Sequence, residues 1–233
     1  MALLFGVVDA SSPTASRISS RLTENWSDLG AVAPELPGNI SPFISSFEIQ
    51  AHFAVGETHR ALELIRRSWG WYANHPNGTG STVVEGYLAN GSFGYRSSRG
   101  YGYDASYVSH AHGWSAGPTS ALTEYVVGLS VVSPAGETWA LRPQFGDLTS
   151  AEAGFVTILG KFVAKWVKGV GGYEVGFEVP GRTVGQVRLP VLEKGRVPKV
   201  KVNQKDLSGA QLDGENHFGF ELKGGNWSIV VSG

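Results

Sequence analysis

The sequence predicts an α+β chain of more than one domain, helical over residues 1–133 and an antiparallel β-sandwich over residues 134–233. Three observations carry this. Apolar residues recur at helical spacing in several segments up to Leu129. From Pro134 onward they fall in short β-branched runs separated by Gly, Pro and Asn. Of 233 residues 42% are hydrophobic and 17% charged, which gives a chain of this length enough apolar surface to bury a packed core.

MALLFGVV at the start is a short apolar run without the basic stretch of a signal peptide, and reads as a buried helix end. Ser12-Pro13 then supplies a cap followed by Pro at the first helical position, and Ile18, Leu22 and Trp26 repeat every fourth residue along one face. Ser41-Pro42 repeats the start signal, and Phe43, Ile44, Phe47 and Ala51 continue a second stripe. Thr58 caps a third helix with Ala61, Leu62, Ile65 and Trp69 on its buried side and Arg60, Glu63, Arg66 and Arg67 on its wet side, and Asn74-His75-Pro76 ends it. Between Asn77 and His112 the helical period is lost. Tyr87, Tyr95, Tyr101, Tyr103 and Tyr107 fall in this Gly- and Ser-rich stretch, and rings at that density need packing or a ligand. A fourth helix begins near Pro118 and carries Leu122, Tyr125, Val126 and Leu129. The change of texture falls at Ser133 to Gly136, after which TWALRP, VTILGKFVAKWV, YEVGFEV, GQVRLPVL, KVKVN and NWSIVV read as strands at the regular spacing of a sandwich. KVKVNQK reads as an exposed edge whose lysines discourage aggregation.

Charge and composition exclude several functions. A formal net charge of -1 gives no electrostatic case for nucleic acid or an anionic membrane, and no apolar run approaches the roughly 20 residues of a membrane helix. The absence of cysteine removes disulfides, thiolate metal sites and thiol nucleophiles. Asn25, Asn39, Asn77, Asn90 and Asn226 each open an N-glycosylation sequon, which points to a secretory ancestry although no export signal is visible; the localisation is otherwise unassigned.

The strings from ISPFISSFEIQAHFAVG through SHAHGWSAGPTSALTEYVVGL resemble the last helices of the catalytic domain of α-L-rhamnosidases. RPQFGDLTSAEAGFV and GQVRLPVLEKG resemble the C-terminal β-sandwich of the same enzymes, in the same order, so the likeness spans nearly the whole chain. The resemblance implies that residues 1–133 are the C-terminal third of a six-hairpin (α/α) barrel catalytic domain, that residues 134–233 are the C-terminal β-sandwich domain, and that the sequence is part of a longer enzyme or a truncated relative. It implies hydrolysis of α-L-rhamnosides with inversion, a rhamnose-containing glycoside as partner, no cofactor, and self-association through the open face of the incomplete barrel.

Inverting glycosidases use two carboxyl groups roughly 6.5–9.5 Å apart, one protonating the leaving oxygen and one activating a water. The resemblance places the general base at Glu85, in STVVEG, although Val84 stands where many members carry Trp. The plainer reading of the residues alone is that Glu85 caps the loop or pairs with Arg96 or Arg99. His112 matches a sugar-facing histidine of the family, and His110, two residues before it in an extended segment, points the other way and packs. A metal held by His110, His112 and Asp104 is disfavoured, since a two-residue spacing alone is weak evidence. Trp114 and Tyr87, with Phe93 and Tyr95, are candidates to stack on a deoxy-sugar, and Asp104 and Trp71 are candidate rim contacts. Glu48 and Glu124 sit in helical patterns and read as solvated or paired. The family's general acid lies in a motif that this sequence lacks, so the isolated chain is expected to be inactive. A sugar-binding remnant and a structural fragment are the competing readings.

Overall fold

The structure is a computed structural model and describes residues 1–233. Its contacts divide it into two compact units, Met1–Ala121 and Leu122–Gly233.

In the first unit α1 spans Pro13–Leu22, and the Ser12 hydroxyl caps it by accepting from the Ala15 amide at 3.2 Å. The helix stops at Leu22 instead of running on to Trp26, which lies in β1 (Trp26–Ser27), paired with β2 (Gly30–Ala31). The Trp26 indole N–H donates to Glu48 Oε1 at 2.6 Å, a tertiary bond that fixes Trp26 in the strand. Next come β3 (Asn39–Ile40), α2 (Pro42–Ala54), α3 (Thr58–Ile65), a π-helical turn over Arg66–Gly70 and α4 (Trp71–Ala73). The helical run that starts at Thr58 therefore ends before Asn74, as its sequence signals say. β4 (Tyr87–Leu88) pairs with β3, and α5 (Gly117–Ala121) closes the unit.

On α2 the predicted stripe is only partly right. Ile44 is 47% exposed and Phe43 and Phe47 are half-buried, whereas Ser45, Ser46, Ile49, His52 and Phe53 are buried. Ser46 tolerates burial because its hydroxyl donates back to the Pro42 carbonyl at 2.8 Å. No barrel hairpins are evident. The first unit holds a few helices, α2 packing on α1, α3 and α5. Residues 77–116 add only the short β4 and two single-turn 3-10 segments to them. That stretch puts glycines 80, 91, 100 and 102 at positive φ, which breaks helical continuation. Its core joins Ile40, Tyr72, Val84, Tyr87 and Val108.

The second unit opens with a π-helical turn, Leu122–Val127, ended by Gly128 at φ +85. Leu129, predicted on the fourth helix, instead starts β5 (Leu129–Val131), where it pairs with Leu141. The other strands are β6 (Thr138–Leu141), β7 (Ser150–Thr157), β8 (Gly160–Gly169), β9 (Gly172–Pro190), β10 (Lys199–Val202), β11 (Lys205–Asp206), β12 (Gln211–Asp213) and β13 (His217–Ser232), which with β5 form one nine-stranded sheet. VTILGKFVAKWV, predicted as one strand, turns between Thr157 and Gly160 to join β7 to β8.

The long strands β9 and β13 pair along their whole length, with a bulge between Lys223 and Gly225. The first half of β9 pairs with β8 and the second half with β6. Trp139, beside the second half, meets Phe177 of the first half with ring centroids 5.4 Å apart, so the bent sheet folds over its own apolar face. Tyr173, Val175, Phe177, Val179, Val187 and Leu189 alternate on that buried face. The β6–β9 pair is parallel, a departure from the all-antiparallel expectation.

Candidate active site

Two stretches far apart in sequence lie side by side in the first unit. The Glu85 amide donates to the Ser109 carbonyl and the His112 amide to the Val83 carbonyl, both at 2.8 Å, and the Thr82 hydroxyl donates to the His110 carbonyl. The loop carrying Glu85 is thereby fastened to the segment carrying both histidines.

The Glu85 carboxylate is half-buried and held at both oxygens. Oε1 accepts from the Tyr101 hydroxyl at 2.5 Å and Oε2 from the Ser109 amide at 3.2 Å. The Arg96 guanidinium lies over the Tyr101 ring, 5.4 Å from its centroid, and not on the carboxylate. Glu85 therefore accepts from neutral donors, and two of about four acceptor positions remain for a water or a sugar hydroxyl. The hydrogen bond to Glu85 is the main cause that raises the Tyr101 hydroxyl pKa above the usual phenol range; burial and the carboxylate charge add to it, and Arg96 opposes it.

His110 and His112 go to different neighbours. His110 Nδ1 lies 2.9 Å from the Tyr72 hydroxyl and its ring packs 4.6 Å from Phe93. His112 is half-buried at the start of a 3-10 turn, Gly113–Ser115, with its ring 6.3 Å from Trp114. Trp114 is 71% exposed and rests against Phe43 at 5.1 Å, a ring open to a ligand on its free face.

Other candidates are already occupied by the fold. Tyr87 is fully buried, so it is a core residue and not a stacking wall. Its hydroxyl donates to the Leu29 carbonyl and contacts the Ser68 hydroxyl, each at 2.7 Å, and burial pushes its pKa well above the usual range against the effect of Ser68. Trp71 packs on Tyr87 at 4.3 Å, and Phe93 on Tyr72 and His110. Val84, which stands where many family members carry Trp, is 1% exposed, so the side chain before the carboxylate points into the core. Asp104 is exposed and accepts from the Ser106 amide at 2.9 Å; hydrogen bonds from Ser106 hold its carboxyl below the usual range. Glu48 is paired, taking Trp26 Nε1 at 2.6 Å and standing 3.4 Å from His52 Nε2. No three His, Asp or Glu side chains cluster in a way that would hold a metal ion.

Sequence reasoning missed Tyr101 and Ser109 as the partners of Glu85. Tyr101 was one of five loop tyrosines marked as needing packing or a ligand, but nothing local singles it out. The Ser109 contact is a backbone amide and carries no side-chain signal.

Residues 128–204 match the family model of the bacterial alpha-L-rhamnosidase C-terminal domain. The match begins at Gly128, whose positive φ and close approach to the Arg142–Pro143 backbone require glycine. Among solved structures, the chain is similar to the Streptomyces avermitilis alpha-L-rhamnosidase complexed with L-rhamnose, at 20% identity and a TM-score of 0.65 over 94% of this chain and 19% of that one. It is similar to the native Aspergillus terreus enzyme at 21% identity and a TM-score of 0.60, covering 93% of this chain and 21% of that one. The GH78 family rhamnosidase of Bacillus sp. GL1 is 25% identical with a TM-score of 0.61, covering 81% of this chain and 18% of that one. The chain thus spans about a fifth of the length of these enzymes. No curated protein sequence matches it. A family match over 128–204 and a likeness of fold over most of the chain make this protein similar to the alpha-L-rhamnosidases, and its second unit similar to their C-terminal domain.

Proposed function

We propose that the chain carries the base side of an inverting α-L-rhamnoside hydrolysis, with Glu85 as the general base. Glu85 takes a proton from water as that water attacks the anomeric carbon on the face opposite the leaving oxygen. The acid that protonates the leaving oxygen belongs to the remainder of a longer enzyme, so this chain by itself is not expected to turn over substrate. His112 donates to or accepts from a sugar hydroxyl, Trp114 stacks on the apolar face of the deoxy-sugar, and Asp104 stands at the rim. The observation that carries the reading is the Glu85 carboxylate, held by a phenol at 2.5 Å and an amide at 3.2 Å with acceptor positions to spare. The similar Streptomyces structure contains L-rhamnose, which supports the choice of sugar. The residue order that divides barrel from sandwich near Ser133 to Gly136, and self-association through the half-covered helices, belong to the same reading.

The test uses an active enzyme that contains this segment. Glu85→Gln should lower kcat on an aryl α-L-rhamnoside by about 10²–10⁴-fold with little change in KM, and the first-formed rhamnose should be the inverted anomer by NMR. A near-normal rate would remove Glu85 from the mechanism. A second reading, a saccharide-binding part without turnover of its own, is favoured by the exposure of Trp114 and Tyr107, at 71% and 66%. It predicts that this chain binds L-rhamnose with quenching of Trp114 fluorescence even in the Glu85→Gln variant.

A further inference from the structure

We propose that the cleft beside Tyr103 is a second saccharide site, for a neutral sugar ring, separate from the Glu85 carboxylate. The cleft has a volume of about 520 Å³ and is lined by Pro37, Asn39, Asn90, Ser97, Ser98 and Tyr103 together with glycine and aliphatic backbone. That size lies within the range of small-molecule sites. No acidic or basic side chain lines it, so it offers nothing to an ion. Its Asn and Ser groups would be left without partners beneath an apolar ligand. A neutral polyhydroxylated ring satisfies both conditions.

The polar groups are not equally free. Asn39 is spent on the wall, since its amide donates to the Pro37 carbonyl at 3.1 Å and accepts from the Arg96 amide at 2.9 Å. Asn90 Oδ1 accepts from the Ser92 amide at 3.0 Å, which leaves its NH2 group as a donor. The Ser97 hydroxyl donates to the Gly94 carbonyl and keeps its lone pairs for a sugar hydroxyl. These supply donors and acceptors along one side of the cleft.

The platform is Tyr103. Its ring is 80% exposed, and its backbone sits at φ +62, a conformation that a bulky residue adopts only at a free-energy cost. The run Gly100-Tyr101-Gly102-Tyr103 builds this turn, and the Tyr103 amide donates to the Ser97 carbonyl at 3.0 Å. One short loop thus gives a phenol to Glu85 through Tyr101 and an open ring to the cleft through Tyr103. Glycine would hold the same turn without strain, so a tyrosine there is explained by what its ring meets outside the protein.

The choice of sugar as ligand rests on the saccharide reading above, whereas the place of the site does not. The whole chain is titrated with methyl α-L-rhamnopyranoside and methyl β-D-glucopyranoside by saturation-transfer NMR, in the wild type and in Tyr103→Gly, Tyr103→Phe and Glu85→Gln. Tyr103→Gly keeps the backbone turn, so its thermal midpoint should stay level or rise while binding of at least one sugar weakens about tenfold or more. Tyr103→Phe keeps the stacking face and should bind as the wild type does, and Glu85→Gln should leave this binding intact. Undiminished binding of both sugars by a folded Tyr103→Gly protein overturns the site, as does the absence of any binding by the wild type. Loss of all binding in Glu85→Gln alone overturns it as well, by assigning the sugar to the other site. Failure of Glu85→Gln to slow an active enzyme would sink the catalytic reading and leave this one standing.

Discussion

A single oxygen atom on Tyr101 connects the aromatic loop to the candidate base, and it leaves a mark in alkaline titration. Tyr87, Tyr101, Tyr125 and Tyr173 all have raised pKa values, Tyr101 chiefly through its hydrogen bond to Glu85 and the other three chiefly through burial. A folded-state pKa above the unfolded value means that folding favours the protonated phenol. The associated stability is complete below pH ~10 and is lost as pH rises through the higher folded values. The chain should therefore hold its stability up to about pH 10 and lose it above, with these phenols ionising late in ultraviolet difference spectra. Tyr101→Phe should remove one late-ionising phenol; an unchanged late amplitude would mean that the contact with Glu85 does not form in solution. The same scale shows what the sequence made legible. The pairing of the Glu85 string with the His112 string came from likeness to whole motifs, and the alternation of His110 and His112 came from extended-backbone geometry. The burial of Tyr87 was hidden because it depends on Leu29 and Ser68, residues that no local pattern connects to it.

Between elements, a buried polar cluster ties α1, α2 and α3 together. Ser19 on α1 and His52 on α2 are both fully buried, and Ser19 Oγ lies 2.7 Å from His52 Nδ1. Arg60 on α3 donates to the same Ser19 oxygen at 3.0 Å, and His52 Nε2 faces Glu48 at 3.4 Å. Ser19→Ala would strip one buried nitrogen and one guanidinium N–H of their partner, a loss of about 1–3 kcal/mol. Urea unfolding of the variant should show a lower midpoint with the slope unchanged. A midpoint equal to the wild type would mean that the cluster is hydrated and open. Hydrophobic periodicity gave α1 its position but could not show this contact, because a serine next to Ile18 gives no apolar signal. Gly128 is the opposite case, a readable helix stop that was passed over when Leu129 was placed on the helix. An added Cβ there meets the backbone of Arg142 and Pro143 and would sit on a residue at φ +85. Gly128→Ala should destabilise the second unit by ~1–3 kcal/mol, read by the loss of the Trp139 and Trp166 fluorescence environment at lower denaturant. Retained stability would mean that the strand start can move.

For the whole molecule, the strand-rich part was the legible one. Period-two alternation survives in both halves of β9, broken only at the exposed Gly181-Arg182, whereas the helical part reached its core through loops and π-turns that no periodicity describes. Among the helix residues, Phe53 and Leu62 are closed off at 0% and 4% exposure while Ile44 stays open at 47%. Marked apolar exposure lies at the β7–β8 hairpin, where Val156 and Ile158 are 77% and 91% exposed. β7 hydrogen-bonds to β8 alone, so one row of its backbone groups is without a strand partner, the kind of edge that pairs with a second chain. A net charge of -1 adds little repulsion to oppose that pairing. The chain should therefore associate as its concentration rises, and sedimentation velocity should show the average mass climbing above the monomer. Val156→Lys together with Ile158→Lys should return it to monomer without lowering the thermal midpoint, because both side chains lie in solvent and surface changes of this kind shift stability by no more than about 0.5 kcal/mol. Association that persists in the double variant would move the contact to another face, with the half-covered α2 surface around Ile44 next in line.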